Sequence, residues 1–506
     1  MRSPLWFVPV LLSLVVGSAW AQHGLPPDFV DEMRGTGMVQ PVNFDFLPDG
    51  RVLLVERATG RIRLVRGIGQ VADTVGVVSE VRANGPEAGL LGIGIDARWP
   101  VKPYVYVLFN SSLSYNLKLV RFALTGDLDG TGNGRLALDV SSRRDILPDL
   151  PDDDAGHNGG TVMSGPDDLL YVALGDDRFE CGAQDKHAMR GKILRLKVEN
   201  VPDGPGIAAN VGALDPGDNP FHDDDDPRAR LVWQYGLRNP WSFDFDPLSK
   251  MFAVADVGEG AFEEVDATYR SGRNFGWPFF EGPAANQFDC EDPEFSTLTA
   301  PSFAYPHFMA SNSIMLGGIC WHPPLLTSGF PMEYWGQVFY LDFYAGNVGR
   351  LSCDASGRCE PAPAVPGQPD SIAWGTGFAF VPRMRFGLDG MLWYVQGGEL
   401  RRISHPGVIG VPADEPHAGA LALRAYPLPS RGALTFESND PAGGRIGIFD
   451  LAGRCVRTLA VPPTGIGVAR VAWDRHDDAG RTLPGGVYFA RLTTTTQRAT
   501  RRLVLL

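Results

Sequence analysis

Short apolar runs, each bounded by glycine, proline, aspartate or asparagine, recur along the first four hundred residues of this chain. Their lengths and their alternation with polar positions suit β-strands, and no long segment carries the 3.6-residue period of an amphipathic helix. The runs come as a pattern: a turn, an apolar strand, a second turn, and a strand closing on a basic or apolar residue. Copies lie at residues 49–55 with 60–65, 103–107 with 117–122, and 169–172 with 191–196. Three more lie at 251–254 with 263–265, 336–340 with 347–351, and 389–394 with 399–403. Small sheets that cannot bury their faces alone, repeated in this way, predict a β-propeller. The pattern therefore predicts an all-β protein with a six-bladed β-propeller over residues 28–404.

The pattern changes after Ser404. Residues 405–420 are rich in proline, glycine and acids and read as a linker. Residues 421–506 return to short alternating strands, as in Arg445-Ile446-Gly447-Ile448-Phe449-Asp450, and predict an immunoglobulin-like β-sandwich.

Composition narrows the function classes. The 506 residues include 61 glycines, 41 prolines and 59 acidic against 45 basic side chains, for a formal charge of -14. Such an acidic surface repels phosphate backbones, so nucleic acid is not an expected partner. The acidic runs at 152–154 and 223–226 read as solvated loops. At the N-terminus, Arg2, an apolar stretch over residues 5–16 and Ala19-Trp20-Ala21 read as a signal peptide over residues 1–21. No later apolar run is long enough to span a bilayer. The expected location is secreted, periplasmic or cell-surface. Six cysteines suit an oxidising compartment. Cys353 and Cys359 bracket a short turn and are the expected pair, with Cys181, Cys290, Cys320 and Cys455 left open. None of them has zinc-site spacing.

Candidate chemistry centres on Gly156-His157-Asn158-Gly159-Gly160 and on Asp176, at the end of the strand that follows. An imidazole with an ordinary pKa of about 6.5 accepts a proton near neutrality. A carboxylate on its far nitrogen would hold it in one tautomer. The same residues also read as a plain loop histidine and a turn former. Arg238-Asn239, braced by Pro240 and by Trp233, Tyr235 and Trp241, suits recognition of a carboxylate or carbonyl, or else the bracing of a loop. Loop carbonyls near Gly258 and Glu259 could ligate calcium. Trp277 reads as packing. The acidic stretch at 127–133 lacks the last glutamate of a calcium loop and reads as a polar hairpin.

Taken in order, several stretches resemble the glucose/sorbosone dehydrogenase family, soluble sugar dehydrogenases that use pyrroloquinoline quinone (PQQ). They are Phe46-Leu47-Pro48-Asp49-Gly50-Arg51, Glu87-Ala88-Gly89-Leu90-Leu91-Gly92, His157-Asn158-Gly159-Gly160, and Gly175-Asp176. Gly191-Lys192-Ile193-Leu194-Arg195-Leu196, Asp218-Asn219-Pro220-Phe221, Tyr235-Gly236-Leu237-Arg238-Asn239-Pro240 and Asn274-Phe275-Gly276-Trp277-Pro278 complete the series. The resemblance implies a six-bladed propeller that oxidises a sugar or polyol hydroxyl with hydride transfer to PQQ. It makes His157 the base and Asp176 its orienter, with Glu87, Arg238 and Asn239 on the cofactor. It places calcium on carbonyls near Gly258 and Glu259. Three positions depart from the family. Gly156 stands where an acid precedes the base, and Glu87 stands for a glutamine. A lysine and two arginines that clamp PQQ have no direct match, Arg383 and Arg385 being shifted.

Residues 448–454, Trp473-Asp474, Gly480 and residues 485–492 resemble the flagellar-hook-capping type of immunoglobulin-like domain, which implies sorting or attachment through an export machinery. The alternative to a secreted sugar oxidoreductase is a non-catalytic propeller binding carbohydrate or protein, like the hedgehog-interacting relatives. A calcium-dependent lactonase is a third reading, on shared architecture alone.

Overall fold

The structure, a computed structural model, describes residues 23–505 apart from 86, 155, 208–209, 248, 287, 291–297, 309–310, 322–328, 366–372, 406–422, 427–429, 431, 439, 441, 450–454, 465–467 and 495–497. The expected signal peptide and nearly all of the expected linker lie outside those residues.

The described chain is all-β, with only short 3-10 turns besides. Up to Ser404 it forms six sheets of four or more strands. Within each, four strands pair antiparallel in turn, as in the first sheet, which runs Pro41–Phe46, Val52–Glu56, Arg61–Val65 and Asp73–Val77. Each repeat predicted from the sequence is the second and third strand of one sheet. The second strands are mainly apolar on both faces because a neighbouring sheet covers each side. Val52, Leu53, Leu54 and Val55 are all buried.

The first strands of the six sheets follow one another. Pro41–Phe46 packs on Leu90–Ile95, and that on Val162–Ser164. Ser242–Phe245 packs on Ile314–Ile319, that on Arg383–Phe386, and the last returns to Pro41–Phe46. Between the third and fourth sheets, Thr161 Oγ1 donates to the Trp241 carbonyl at 3.0 Å. Glycines permit the close approach: a Cβ on Gly92 would lie 2.2 Å from the Gly160 carbonyl oxygen.

The sixth sheet takes its fourth strand from the other end of the chain. Val30–Thr36 pairs antiparallel with Glu399–Ser404. Asp31 pins the junction, accepting from the Tyr394 hydroxyl at 2.8 Å and pairing with Arg401 and His23. Burial raises the Asp31 carboxyl, but its bonds to His23, Arg401 and Tyr394 outweigh this and leave it below the usual carboxylate range.

The C-terminal residues form a three-stranded and a four-stranded sheet. Their core is separate, built on Trp473, Phe436, Ile446, Ile448 and Leu503. No helix among the described residues is long and apolar enough to cross a membrane. Residues 127–133 form the polar hairpin expected of them, where Asp127 accepts from Gly132 N. In the acidic run at 152–154, Asp153 and Asp154 are exposed as expected, and only Asp152 departs from the solvated reading. Asp152 is buried against Arg82, Asp153 pairs with Arg190, and Asp154 lies 3.3 Å from Arg178.

Candidate active site

In every sheet the second strand ends where links between sheets also run, so the turns and links of one face converge. The link from the second to the third sheet carries His157, and the turn after Leu170–Leu174 carries Asp176. The link from the third to the fourth sheet carries Arg238 and Asn239, and the turn after Phe252–Asp256 carries Gly258 and Glu259. Glu87 sits on the link between the first and second sheets.

His157 is 8% exposed and Asp176 is fully buried. His157 Nδ1 lies 2.7 Å from Asp176 Oδ1. The other carboxylate oxygen accepts from Trp277 Nε1 at 2.8 Å, and the backbone N–H of Arg178 donates to Oδ1 at 2.9 Å. Asp176 is thereby fixed from three directions, and Trp277, read from the sequence as packing, is one of its donors. His157 has a φ of +51°, a conformation disfavoured for most side chains. Its N–H donates to Glu87 Oε2 at 2.6 Å, which holds that turn.

Gly175 explains how the two segments approach. A Cβ there would lie 1.8 Å from the His157 carbonyl oxygen. The glycine at 156 has an equally local reason. A Cβ at 156 would come 2.7 Å from Arg178 Nε, so the Arg178 guanidinium takes the space of an acidic side chain. Arg178 is half exposed and is a cation that the sequence reading did not single out. Its signal was its place two residues beyond Asp176.

Asn239 Oδ1 accepts from Gly159 N at 3.1 Å, and Asp256 accepts from Arg238 N at 2.8 Å and Asn239 N at 2.7 Å. The Arg238 guanidinium lies over Trp277, 5.3 Å from the ring centroid. Its Nη1 donates to the carbonyls of Val257 at 3.1 Å and Gly258 at 2.7 Å. Arg238 Nε and Asn158 Nδ2 are buried and have no hydrogen-bond partner among the described residues. Glu259 enters only through its backbone, its N–H donating to Glu281 Oε1 at 2.7 Å. Gly260, Ala261 and Phe262 donate to the same oxygen. These bonds outweigh burial and hold the Glu281 carboxyl below its ordinary range.

Arg383 and Arg385 are both placed among the first strands. Arg383 is buried, with Nη2 3.5 Å from the Phe243 carbonyl, and burial pushes it down to about 9. Arg385 pairs with Asp45 at 2.8 Å and lies 3.8 Å from Asp244. Both belong to the contacts among first strands.

Beneath the Gly258 turn lies a group of buried carboxyls. Burial pushes Asp256 up to about 7, against hydrogen bonds from Arg238 and Asn239, and Glu263 up to about 7. Glu263 bonds His307 Nε2 at 2.8 Å. Glu264 is pushed up to about 8 by burial and by Asp256. The folded state binds these protons more tightly than the unfolded chain, whose carboxyls titrate near about 4. Their stabilisation is complete below that range and is lost as pH rises through about 7 to 8. The thermal midpoint is expected to fall over that interval, and Glu264→Gln to flatten the fall, in melts recorded across pH.

A disulfide joins Cys181, just beyond Asp176, to Cys290, in the segment that also holds Trp277. The expected Cys353–Cys359 bond is present; Cys320 and Cys455 are free. Linking residues 109 apart stabilises more than linking residues 6 apart. The C181S/C290S variant is therefore expected to lose about 2–5 kcal/mol of stability in denaturant unfolding. The C353S/C359S variant is expected to lose less.

Comparison with known proteins places this geometry. Residues 38–360 match the family model described as Glucose / Sorbosone dehydrogenase. The HIPL1 protein of Arabidopsis thaliana is 39% identical over 138 residues, 25% of this chain but only 19% of that protein. The aldose sugar dehydrogenase YliI of Escherichia coli (strain K12) is 26% identical over 287 residues, 55% of this chain and 68% of YliI. Among solved structures, the PQQ-bound form of aldose sugar dehydrogenase from Streptomyces coelicolor shares the fold. Its TM-score is 0.54 at 22% identity, over 75% of this chain and 99% of that one.

Proposed function

The chain belongs to the glucose/sorbosone dehydrogenase family, and from that premise we propose that it is an exported quinoprotein-type oxidoreductase acting on a sugar or polyol hydroxyl. The observation that carries this is the Asp176 carboxylate, held by Trp277 on one oxygen and bonded to His157 on the other. A carboxylate only accepts, so Nδ1 carries the proton and Nε2 keeps its lone pair. His157 Nε2 then takes the proton of the substrate hydroxyl, and Asp176 stabilises the imidazolium that forms. Glu87 and Asn239 hold the turn on either side of the base.

The donors present suit an anionic quinone. Arg238 Nε and Asn158 Nδ2 await acceptors, and Arg178 adds a cation beside His157. Arg238, Asn239 and Arg178 would hold PQQ, with Glu87 bordering it. When bound, PQQ supplies the acceptor of two electrons. The Gly258 carbonyl expected to ligate calcium is engaged by Arg238. Among the described residues no group of three or more histidine, cysteine, aspartate or glutamate side chains is placed to hold a metal ion.

In this reading the six sheets are the blades of a six-bladed propeller, and residues 421–506 are an immunoglobulin-like attachment domain used in export. The test is dye reduction by the full-length protein incubated with PQQ, over a panel of aldoses and polyols. Its absorption spectrum should change when substrate is added. Failure to bind PQQ would overturn the proposal. The ion pair of Arg385 with Asp45 inside the fold favours a second reading, a non-catalytic propeller binding carbohydrate or protein. Glycan binding without PQQ binding would support that one.

A further inference from the structure

We propose that Arg238 is a built-in cation that occupies the carbonyl pair of Val257 and Gly258, so that this site works without calcium. Two carbonyls aimed at one point make a cation site, and here that point already holds a full positive charge. Nη1 lies 3.1 Å from the Val257 oxygen and 2.7 Å from the Gly258 oxygen. A calcium ion binds carbonyl oxygens at about 2.3–2.6 Å. It would need the same lone pairs and would sit against the positive charge of the guanidinium.

The surroundings fix the guanidinium in place. Its backbone N–H is held by Asp256 at 2.8 Å, and Trp277 lies beneath its plane at 5.3 Å. The Gly258 turn is fixed independently: its N–H donates to Glu263 Oε2 at 3.2 Å, and the next residues donate to Glu281. The carbonyls therefore keep their direction without a metal. The carboxylates nearby do not assemble a competing site: Glu281 is spent on backbone N–H groups, Asp256 on the N–H groups of Arg238 and Asn239, and Glu263 on His307 and on the N–H groups of Gly258 and Ile314. An arginine differs from a divalent ion in one useful respect. It stays covalently attached, so the site does not vary with the metal content of the medium.

This inference concerns the occupancy of the carbonyl pair and stands apart from turnover, so its test uses no enzymatic readout. Terbium serves as the calcium probe in the full-length protein, with emission sensitised by Trp277 and checked for displacement by calcium. The wild-type protein is expected to show no calcium-displaceable emission that depends on Trp277. R238A, which uncovers both carbonyls, is expected to gain it, and R238A/W277F to lose it again. R238M, which keeps the side-chain volume, is the second variant should R238A fail to fold, with circular dichroism melts confirming the fold of each. Trp277-dependent emission already present in the wild type would overturn the proposal. So would its absence from folded R238A and R238M, because the carbonyl pair would then be no cation site for Arg238 to fill.

Discussion

Replacing His157 by asparagine is expected to lower kcat for sugar oxidation by about 10²- to 10⁴-fold, the range that a positioned general base contributes. Asparagine is the informative choice because it tolerates the left-handed backbone that His157 adopts at φ +51°, where alanine would add strain of its own. The Glu87 bond to the backbone N–H survives the change, so the turn keeps its shape. Asp176→Asn is the companion. It leaves the size of the group unchanged but lets an amide donate to Nδ1, which selects the wrong tautomer and is expected to cost a comparable factor. PQQ binding, read from the absorption spectrum, should persist in both variants, since the cofactor contacts proposed above do not involve these side chains. Full activity in H157N would remove His157 from the chemistry.

The second large effect is structural and falls on Gly175. Alanine there would place a methyl carbon 1.8 Å from the His157 carbonyl oxygen, a backbone atom that cannot swing aside. The cost is expected to be about 3 kcal/mol, at the upper end for overpacking, together with loss of activity as the His157 turn is pushed off Asp176. Gly260→Ala is the control. Gly260 lies on the same face, has no positive φ, and its Cβ would meet nothing within 4 Å. Denaturant unfolding of the two variants, side by side, separates the specific clash from a general intolerance of the face. Equal stability of G175A and the wild type would show that the His157 and Asp176 segments are not in this contact.

The second strand of each sheet was legible in the sequence because it is a mainly apolar run bounded by turn residues, and the third, which is more polar in Phe262–Thr268 and Glu399–Ser404, because it follows the next turn. The outer and first strands were harder. Val162–Ser164 is only 3 residues long, and Ser242–Phe245 alternates polar and apolar side chains. The N-terminal strand Val30–Thr36 is half-polar, since it covers the edge of the sixth sheet. Its partner lies at the far end of the chain, and no local pattern reports a pairing between residues 30 and 404. The same holds for the Cys181–Cys290 bond, which no spacing rule selects.

By itself the sequence determined the all-β class, and it pointed to the repeated strand pairs and to the histidine, aspartate, arginine and asparagine proposed for the candidate site. These are written in local periodicity and in motifs of a few residues. The tertiary structure alone decided what those residues touch. It brought Trp277 under Asp176 from 101 positions away, set Arg178 in the space left by Gly156, and turned Arg238 onto the Gly258 carbonyl. It also drew Arg385 into an ion pair with Asp45, 340 positions off. The physical reason is the same throughout. Strand and turn preferences act between neighbours, whereas the partner of a buried charge is whichever opposite group the packing of separate sheets brings within reach.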